Sequence, residues 1–423
     1  MAKRRRWKPV RGTGNRVSDP WERLLLGGLD LAGRALFALP GLAARPKTPL
    51  VEPTVIREVL VLRLDRIGDV IMSLPALWEL RGALPKARIR LAVGRWSEPV
   101  ARHAPVDELL VWSAPWVGRK AEGVDGLGAL RRQARALRRH GIDLAIDLQG
   151  DVRASILMYL TGAPLRAGYA NTGGAYLLTH VIPLDETVSW VEQNRRAVEA
   201  VLGSAAQRAS VDPLTDADRE DARRRVAELA LAGRRPLVGL HPSGGRRVKQ
   251  WDIRRWAEVA ARLQREFAAT IVITGSEADR GLAEALAREL PAPPVDTTGR
   301  LGARETMALI ELFDLFLSPD TGPMHMACAV DTPSVSVFGP SDPARFFWGD
   351  DGARGSRHVV VRGELWCSPC NLIRRPPAEC DRAEPPECLQ LVSVTAVHRE
   401  AARLLREVGG FPRKDAARAA DTP

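Results

Sequence analysis

Lysine is nearly absent from this chain. Of its 62 basic residues in 423, only Lys3, Lys8, Lys47, Lys86, Lys120, Lys249 and Lys414 are lysines. Arginine bias can reflect genome composition, so a single arginine says little; Lys249, alone between Lys120 and Lys414, says more. Long hydrophobic runs are missing too. A membrane-spanning helix wants roughly 20 apolar residues with few charges. The best candidate, Trp21 to Ala43, is broken by Asp30 and Arg34 and ended by Pro40. No G-x-G-x-x-G occurs, which argues against a dinucleotide dehydrogenase. No histidine pair has metal-site spacing. Asp216-Ala217-Asp218 has the D-x-D form of metal-dependent transferases, but it precedes an arginine-rich helix and reads as helix-start charge.

Cysteines number five. No secretory leader is recognised, so a cytoplasmic compartment is expected, where stable disulfides are disfavoured. Cys328 sits in an apolar helix and reads as a buried thiol. Cys367 and Cys370, in CSPC, have the spacing of a zinc-ligand pair. Cys380 and Cys388 follow irregularly among prolines and charges, so unliganded thiols are the expectation, with a four-cysteine zinc site or a redox-labile pair as alternatives.

The chain has 45% hydrophobic and 27% charged residues, the balance of a globular protein. Its length suggests two domains. Net charge is +11, and Lys3, Arg4, Arg5, Arg6, Lys8, Arg11 and Arg16 all precede the first acid, Asp19. Such an arm suits an anionic membrane surface, or is a solvated tail. Nucleic-acid binding would rest on this arm alone and is not expected. The following stretch fits an interfacial amphipathic helix with Arg23, Asp30 and Arg34 on its polar face. The alternative is a helix packed on the body of the protein. Together these place the protein at the inner face of the cytoplasmic membrane, as a peripheral protein.

Apolar runs then alternate with helical patterns. Val59–Leu64, Ile89–Val93, Leu109–Trp112 and Leu144–Leu148 read as strands, with helices at Val70–Leu84 and Leu127–Arg139. Asp212–Arg235 is charged and helical. The rhythm restarts with strands at Leu237–Leu240, Thr270–Thr274, Leu315–Ser318 and Ser334–Phe338, and helices at Ile253–Phe267, Asp279–Leu290 and Pro323–Val330. This is the pattern of two doubly wound, Rossmann-like α/β domains facing a cleft. The expected divisions are an arm and amphipathic segment at 1–55, a first domain at 56–210 and a linker at 211–235. A second domain spans 236–392, followed by a helix at 393–408 and a disordered tail at 409–423.

Ligands in such folds bind beyond the carboxyl ends of the strands. Four segments lie there. In RLDRIGD, Asp69 sits near a helix start; it is either a cap or a general base. In HPSGG, His241, Ser243 and Gly244 form a loop whose backbone N–H groups can approach phosphate, and Lys249 follows as a point-like ammonium. In SPDTGPMH, Asp320, Thr321, Gly322 and His325 converge where a helix begins, a place that favours an anion. In GSEAD, an acid can accept from ribose hydroxyls or cap a helix. The segment Phe338–Pro343 closes a further strand.

VLRLDRIGDVIMSLPAL, GLHPSGGRRVKQW, ITGSEADR and SPDTGPMHMACAVDTPSVSVFGPSDP, in this order, resemble the bacterial heptosyltransferases, glycosyltransferase family nine, over about Arg57 to Val408. The resemblance implies a GT-B fold and inverting transfer from a nucleotide sugar, often ADP-heptose, to a lipid-linked lipopolysaccharide-core acceptor. It implies Asp69 as base, Lys249 on the donor phosphate and Asp279, rather than Glu277, on the ribose. Asp320, Thr321, Gly322 and His325 would hold the donor, and Leu301 would line the nucleobase pocket. Lys249 and the helix end would do the work of a metal, so no cofactor is expected. Asp65 and Arg66 stand where well-studied relatives carry small hydroxyl residues; Arg63 and Arg66 are expected on the acceptor side. The alternatives are a sugar-nucleotide epimerase of the same fold and a non-catalytic, membrane-associated glycan- or nucleotide-binding protein.

Overall fold

The computed structural model describes residues 20–38, 52–117, 126–203, 208, 211–348, 357–370, 380, 383–407 and 409–411. The basic arm and the end of the tail lie outside the described residues. The chain forms two compact units, Met1–Val211 and Asp212–Pro423.

The first unit is built on β1 (Glu58–Arg63), β2 (Arg88–Val93), β3 (Glu108–Val111), β4 (Leu144–Asp147), β5 (Leu165–Gly168) and β6 (His180–Val181). All are parallel, in the order β3-β2-β1-β4-β5-β6. β1 is buried along all but its first residue, as a central strand covered on both faces must be. The helix Ile67–Ala83 follows it and packs on the helix Trp190–Leu202, where Asn194 donates to the Met72 carbonyl (3.2 Å) and Arg195 pairs with Glu79 (2.9 Å).

The second unit repeats the plan with β7 (Leu237–Leu240), β8 (Thr270–Ile273), β9 (Val295–Asp296), β10 (Leu315–Pro319), β11 (Ser334–Phe338) and β12 (His358–Arg362). These are also parallel, in the order β12-β11-β10-β7-β8-β9. In each sheet the first and fourth strands are neighbours, and the winding reverses between them. That crevice, at the carboxyl ends of β1/β4 and of β7/β10, is where doubly wound sheets bind ligands. The GT-B-type pair of Rossmann-like domains expected from the sequence is the architecture found.

The charged segment after Asp212 belongs to the second unit. Thr215 caps the helix Asp216–Glu228 in a reciprocal capping box with Asp218. Asp218 also takes Arg304 Nε at 2.6 Å, and Arg219 reaches Glu311 at 3.0 Å, both on the helix Ala303–Glu311. The D-x-D acids are thus spent on a helix start. The helix Val394–Glu407 packs on Ile253–Phe267 through His398 and Arg406, which flank Glu266. Phe411 then folds back, its N–H bonded to the Leu405 carbonyl (3.0 Å).

The N-terminal helix spans Pro20–Phe37. The polar face expected to meet water instead meets protein at one key position. Asp30 is buried, accepting from the Gly174 N–H (2.7 Å) and from Arg34 Nε (2.7 Å). Among the described residues no helix is long and apolar enough to cross a membrane.

Candidate active site

The first unit gathers carboxylates at its crevice. Arg63 ends β1 and is almost fully buried, at 2% exposed. Its guanidinium lies 3.2 Å from Asp65 Oδ2 and 4.0 Å from Asp69 Oδ1. Its Nε donates to the Asp69 carbonyl (3.2 Å), and its Nη1 to the Leu148 carbonyl. One arginine therefore ties the turn after β1 to the end of β4. Trp96 Nε1 (2.6 Å) and Ser97 Oγ (3.1 Å) fix the Asp65 carbonyl from the other side.

Asp147, paired in register with Leu62, is wholly buried, and accepts from the Gln149 and Gly150 N–H groups, both at 2.9 Å. Asp151 caps the next helix and is gripped by Arg153, which stacks over Trp116 (4.7 Å). Burial pushes Asp65 up to about 7; Arg63 opposes this, and Asp69, Asp147 and Asp151 add to it. Burial likewise pushes Asp147 up to about 7, against the two backbone N–H groups. Desolvation, with repulsion from neighbouring acids, thus holds both well above the ordinary carboxylate range.

Asp69 differs from these neighbours in access. Its side chain is 31% exposed, against 17% for Asp65 and none for Asp147. It lies in the first turn of the helix Ile67–Ala83, whose N-cap is Arg66, so Asp69 is not the cap. Arg66 is exposed. Arg63, expected to face an acceptor, is instead consumed internally, because a guanidinium buried among carboxylates satisfies its donors there.

The second unit gathers the donor candidates at β7 and β10. His241 follows β7, its Nδ1 3.0 Å from the Thr274 carbonyl; burial lowers its pKa, with Asp279 opposing. A Cβ on Gly244 would lie 2.6 Å from the Lys249 carbonyl carbon, so only glycine lets the loop lie against the Arg247–Lys249 turn. Gly245, in the left-handed region at φ 66°, faces Thr321, its would-be Cβ 4.0 Å from Thr321 Oγ1.

Lys249 Nζ lies 2.6 Å from Asp320 Oδ2 and 3.2 Å from the Asp320 carbonyl. Although burial opposes it, Lys249 holds the Asp320 carboxyl below its ordinary value, aided by Ser341 and His325. Thr321 is the N-cap of the helix Gly322–Ala329, with no side-chain cap bond, so its hydroxyl is not spent on the helix. His325 is buried in the first turn of that helix. The ammonium, the glycine loop and a helix N-terminus therefore meet at one crevice.

Asp279 and Leu301 lie at the next turns. Asp279 Oδ2 accepts from Ser276 N–H (2.9 Å) and Oγ (2.7 Å), and Ser243 bonds it as well. Those bonds outweigh burial and lower its pKa. The GSEAD acid is thus both a cap and a neighbour of the HPSGG loop. Glu277 is exposed and paired with Arg280. Leu301 is half-buried after the turn containing Thr298.

The sequence passed over Asp147 and Asp151; the signal was an acid inside an apolar strand, LAID, with a second acid four residues on. Trp251, beside Lys249, is core, set edge-on to Trp256. The four C-terminal thiols influence one another: burial, then Cys370, Cys380 and Cys367, push Cys388 up to about 11. No disulfide joins them, and among the described residues no group of three or more side chains could hold a metal ion. The zinc alternative gains no support.

The sequence profile described as glycosyltransferase family 9 (heptosyltransferase) matches residues 130–376. Lipopolysaccharide heptosyltransferase 2 of Salmonella typhimurium is 25% identical over 299 residues, covering 68% of this chain and 84% of that protein. A family 9 glycosyl transferase from Veillonella parvula superposes with a TM-score of 0.68 at 22% identity, over 83% of this chain and 97% of that one. The E. coli heptosyltransferase WaaC with ADP-2-deoxy-2-fluoro heptose gives 0.60 at 20% identity, over 82% and 99%.

Proposed function

The chain belongs to glycosyltransferase family 9, the heptosyltransferase family, and on that premise we propose that it moves a heptose, with inversion, from an ADP-linked donor to a lipopolysaccharide-core or related lipid-linked glycan. The observation that carries this is the Lys249–Asp320 pair, which fixes an ammonium beside the glycine loop and the start of the Gly322 helix. Such a cradle suits the diphosphate of a leaving nucleotide.

In the reaction, the acceptor hydroxyl attacks the anomeric carbon, its bond to the diphosphate breaks, and the hydroxyl proton passes to Asp69. Lys249, the Ser243 N–H and the helix end with Thr321 and Gly322 offset the charge left on the diphosphate, while the Gly244 N–H is held by Gln250 Oε1 (2.9 Å) and fixes the loop. His241, its pKa lowered by burial, shapes the loop. His325 contacts the same phosphates, Asp279 meets the ribose, and Leu301 packs on the base. Arg63 positions Asp69 and does not touch substrate; the exposed Arg66 faces the acceptor. The enzyme works as a peripheral protein at the cytoplasmic face of the membrane.

A sugar-nucleotide epimerase of the same fold is not favoured by the family match. Calorimetry with ADP, UDP and GDP tests the donor assignment. Selective binding of ADP, weakened about 10- to 100-fold by Lys249→Met, is expected from the loss of a charged hydrogen bond. Absence of binding to all three, or no preference among them, would overturn it.

A further inference from the structure

We infer that the outward face of the helix Pro20–Phe37 is a lipid-contact surface for an anionic bilayer, and that it anchors the acceptor side of the first unit to the membrane. This rests on the proposed lipid-linked acceptor and names the surface that would meet it.

The helix is attached to the body by an unusual face. Leu26 and Asp30 are buried, and Asp30 is fixed by the Gly174 N–H and by Arg34. At position 33 there is room only for glycine, because a Cβ would collide with the Tyr176 ring. Phe37 closes the contact between Tyr159 and Tyr176, with centroids 5.4 Å and 5.3 Å away. Positions 26, 30, 33 and 37 share one face at helical spacing. A buried carboxylate holding a backbone N–H forbids the helix from rolling over to hide its other side.

That other side is apolar, and among the described residues nothing covers it. Trp21, Leu24, Leu25, Leu31 and Leu36 are 54% to 81% exposed. With the small Gly28, Ala32 and Ala35 between them, they form one continuous stripe opposite the docked face. The docked side is itself mostly apolar, with Leu26, Gly33 and Phe37 around Asp30, so the exposed stripe is a second apolar face where an ordinary surface helix is polar. Large exposed apolar patches mark interaction sites.

Charge identifies the occupant. Seven lysines and arginines precede the first acid, Asp19, immediately before this helix. A basic segment joined to an apolar helix face is the two-part signal that holds a protein on an anionic bilayer. Trp21, at the junction of the two, suits the headgroup level.

The place of attachment gives the surface its use. Gly174, which holds Asp30, lies against Val152; a Cβ there would be 3.0 Å from Val152 Cγ2. Val152 opens the helix capped by Asp151, in the carboxylate cluster around Asp65 and Asp69. The lipid surface and the acceptor-side acids are therefore built on one corner of one unit.

The test is co-sedimentation of the full chain with vesicles of phosphatidylcholine alone and with phosphatidylglycerol added. Binding is expected only to the anionic vesicles, and the Leu24→Asp/Leu31→Asp variant should bind at least about tenfold more weakly. A second variant, Leu25→Asp/Leu36→Asp, should behave alike. Both should keep the wild-type melting temperature and ADP affinity. Undiminished vesicle binding by both variants would overturn the inference, as would no binding by the wild type. Self-association of the wild type without lipid, abolished in both variants, would overturn it in favour of a second copy on this face. Loss of ADP binding by the wild type would instead strike the transferase reading and leave the lipid surface standing.

Discussion

Replacing Lys249 by methionine would leave Asp320 with its charge and without its cation. The carboxylate is 5% exposed and 2.6 Å from Nζ, so water cannot take over the ammonium's place. Removing one partner of a buried ion pair costs about 3–5 kcal/mol. In a unit of this size each kcal/mol moves the melting temperature by about 2–4 °C. The cost should depend on pH, because the stranded carboxylate relieves it by taking a proton; it should be largest near pH 8 and shrink toward pH 5. In the wild type the sign is the ordinary one for a depressed acid. Asp320 is held below 3.8, so its stabilising contribution is present above that value and is lost as pH falls through the lower folded value. Adding Asp320→Asn to Lys249→Met removes the stranded charge and should recover roughly 2–3 kcal/mol. Urea denaturation followed through Trp251 and Trp256, both buried in the same unit, reads the wild type, Lys249→Met, Asp320→Asn and the double variant. Additivity of the two single costs within about 0.5 kcal/mol would refute the pairing.

Asp65→Asn should act in the opposite sense. The folded protein keeps the Asp65 proton up to about 7, whereas the unfolded chain gives it up near 3.8, so the penalty is absent below pH 4 and complete above pH 7. The variant should be more stable than the wild type at pH 8, by an amount of order 1–4 kcal/mol, and no more stable at pH 4. Denaturation at the two pH values checks this, and an equal gain at both would contradict it. Alkylation with iodoacetamide at pH 8, followed by mass spectrometry, should modify the exposed Cys370 first. Cys328 and Cys388 should lag, the one buried and the other both buried and pushed up to about 11; equal rates at Cys370 and Cys388 would contradict the shift.

Much of this molecule is written locally. The long buried strands and amphipathic helices follow from runs such as VLVLRL and from the spacing in Ile253–Phe267, found where expected. β6 and β9, two residues each, are too short to carry a period. The helix Trp190–Leu202 is obscured by buried polar side chains. Gln193 serves the Asp185 N–H and Pro183 carbonyl, a role visible only once the chain has folded. The candidate site divides in the same way. Asp69, Lys249 and Asp320 stand after strands and can be found from that position. Arg63 cannot, because its burial depends on β4 lying beside β1, a pairing between strands 81 residues apart from Arg63 to Leu144 in sequence. The N-terminal helix is legible as amphipathic, but the burial of Asp30 is not, since it depends on a single carboxylate–amide contact with Gly174, far away in sequence, while Arg34 of the same polar face stays exposed.

The central claim is that Asp69 is the base. The direct measurement is turnover of Asp69→Asn with donor and acceptor supplied, beside calorimetric donor binding by the same preparation. Asparagine keeps the size of the side chain and cannot take the proton. Turnover should fall by about 10²–10⁴-fold, the usual worth of a general base, with donor affinity unchanged. Wild-type turnover in this variant would contradict the account, and so would a loss of donor binding in step with the loss of rate.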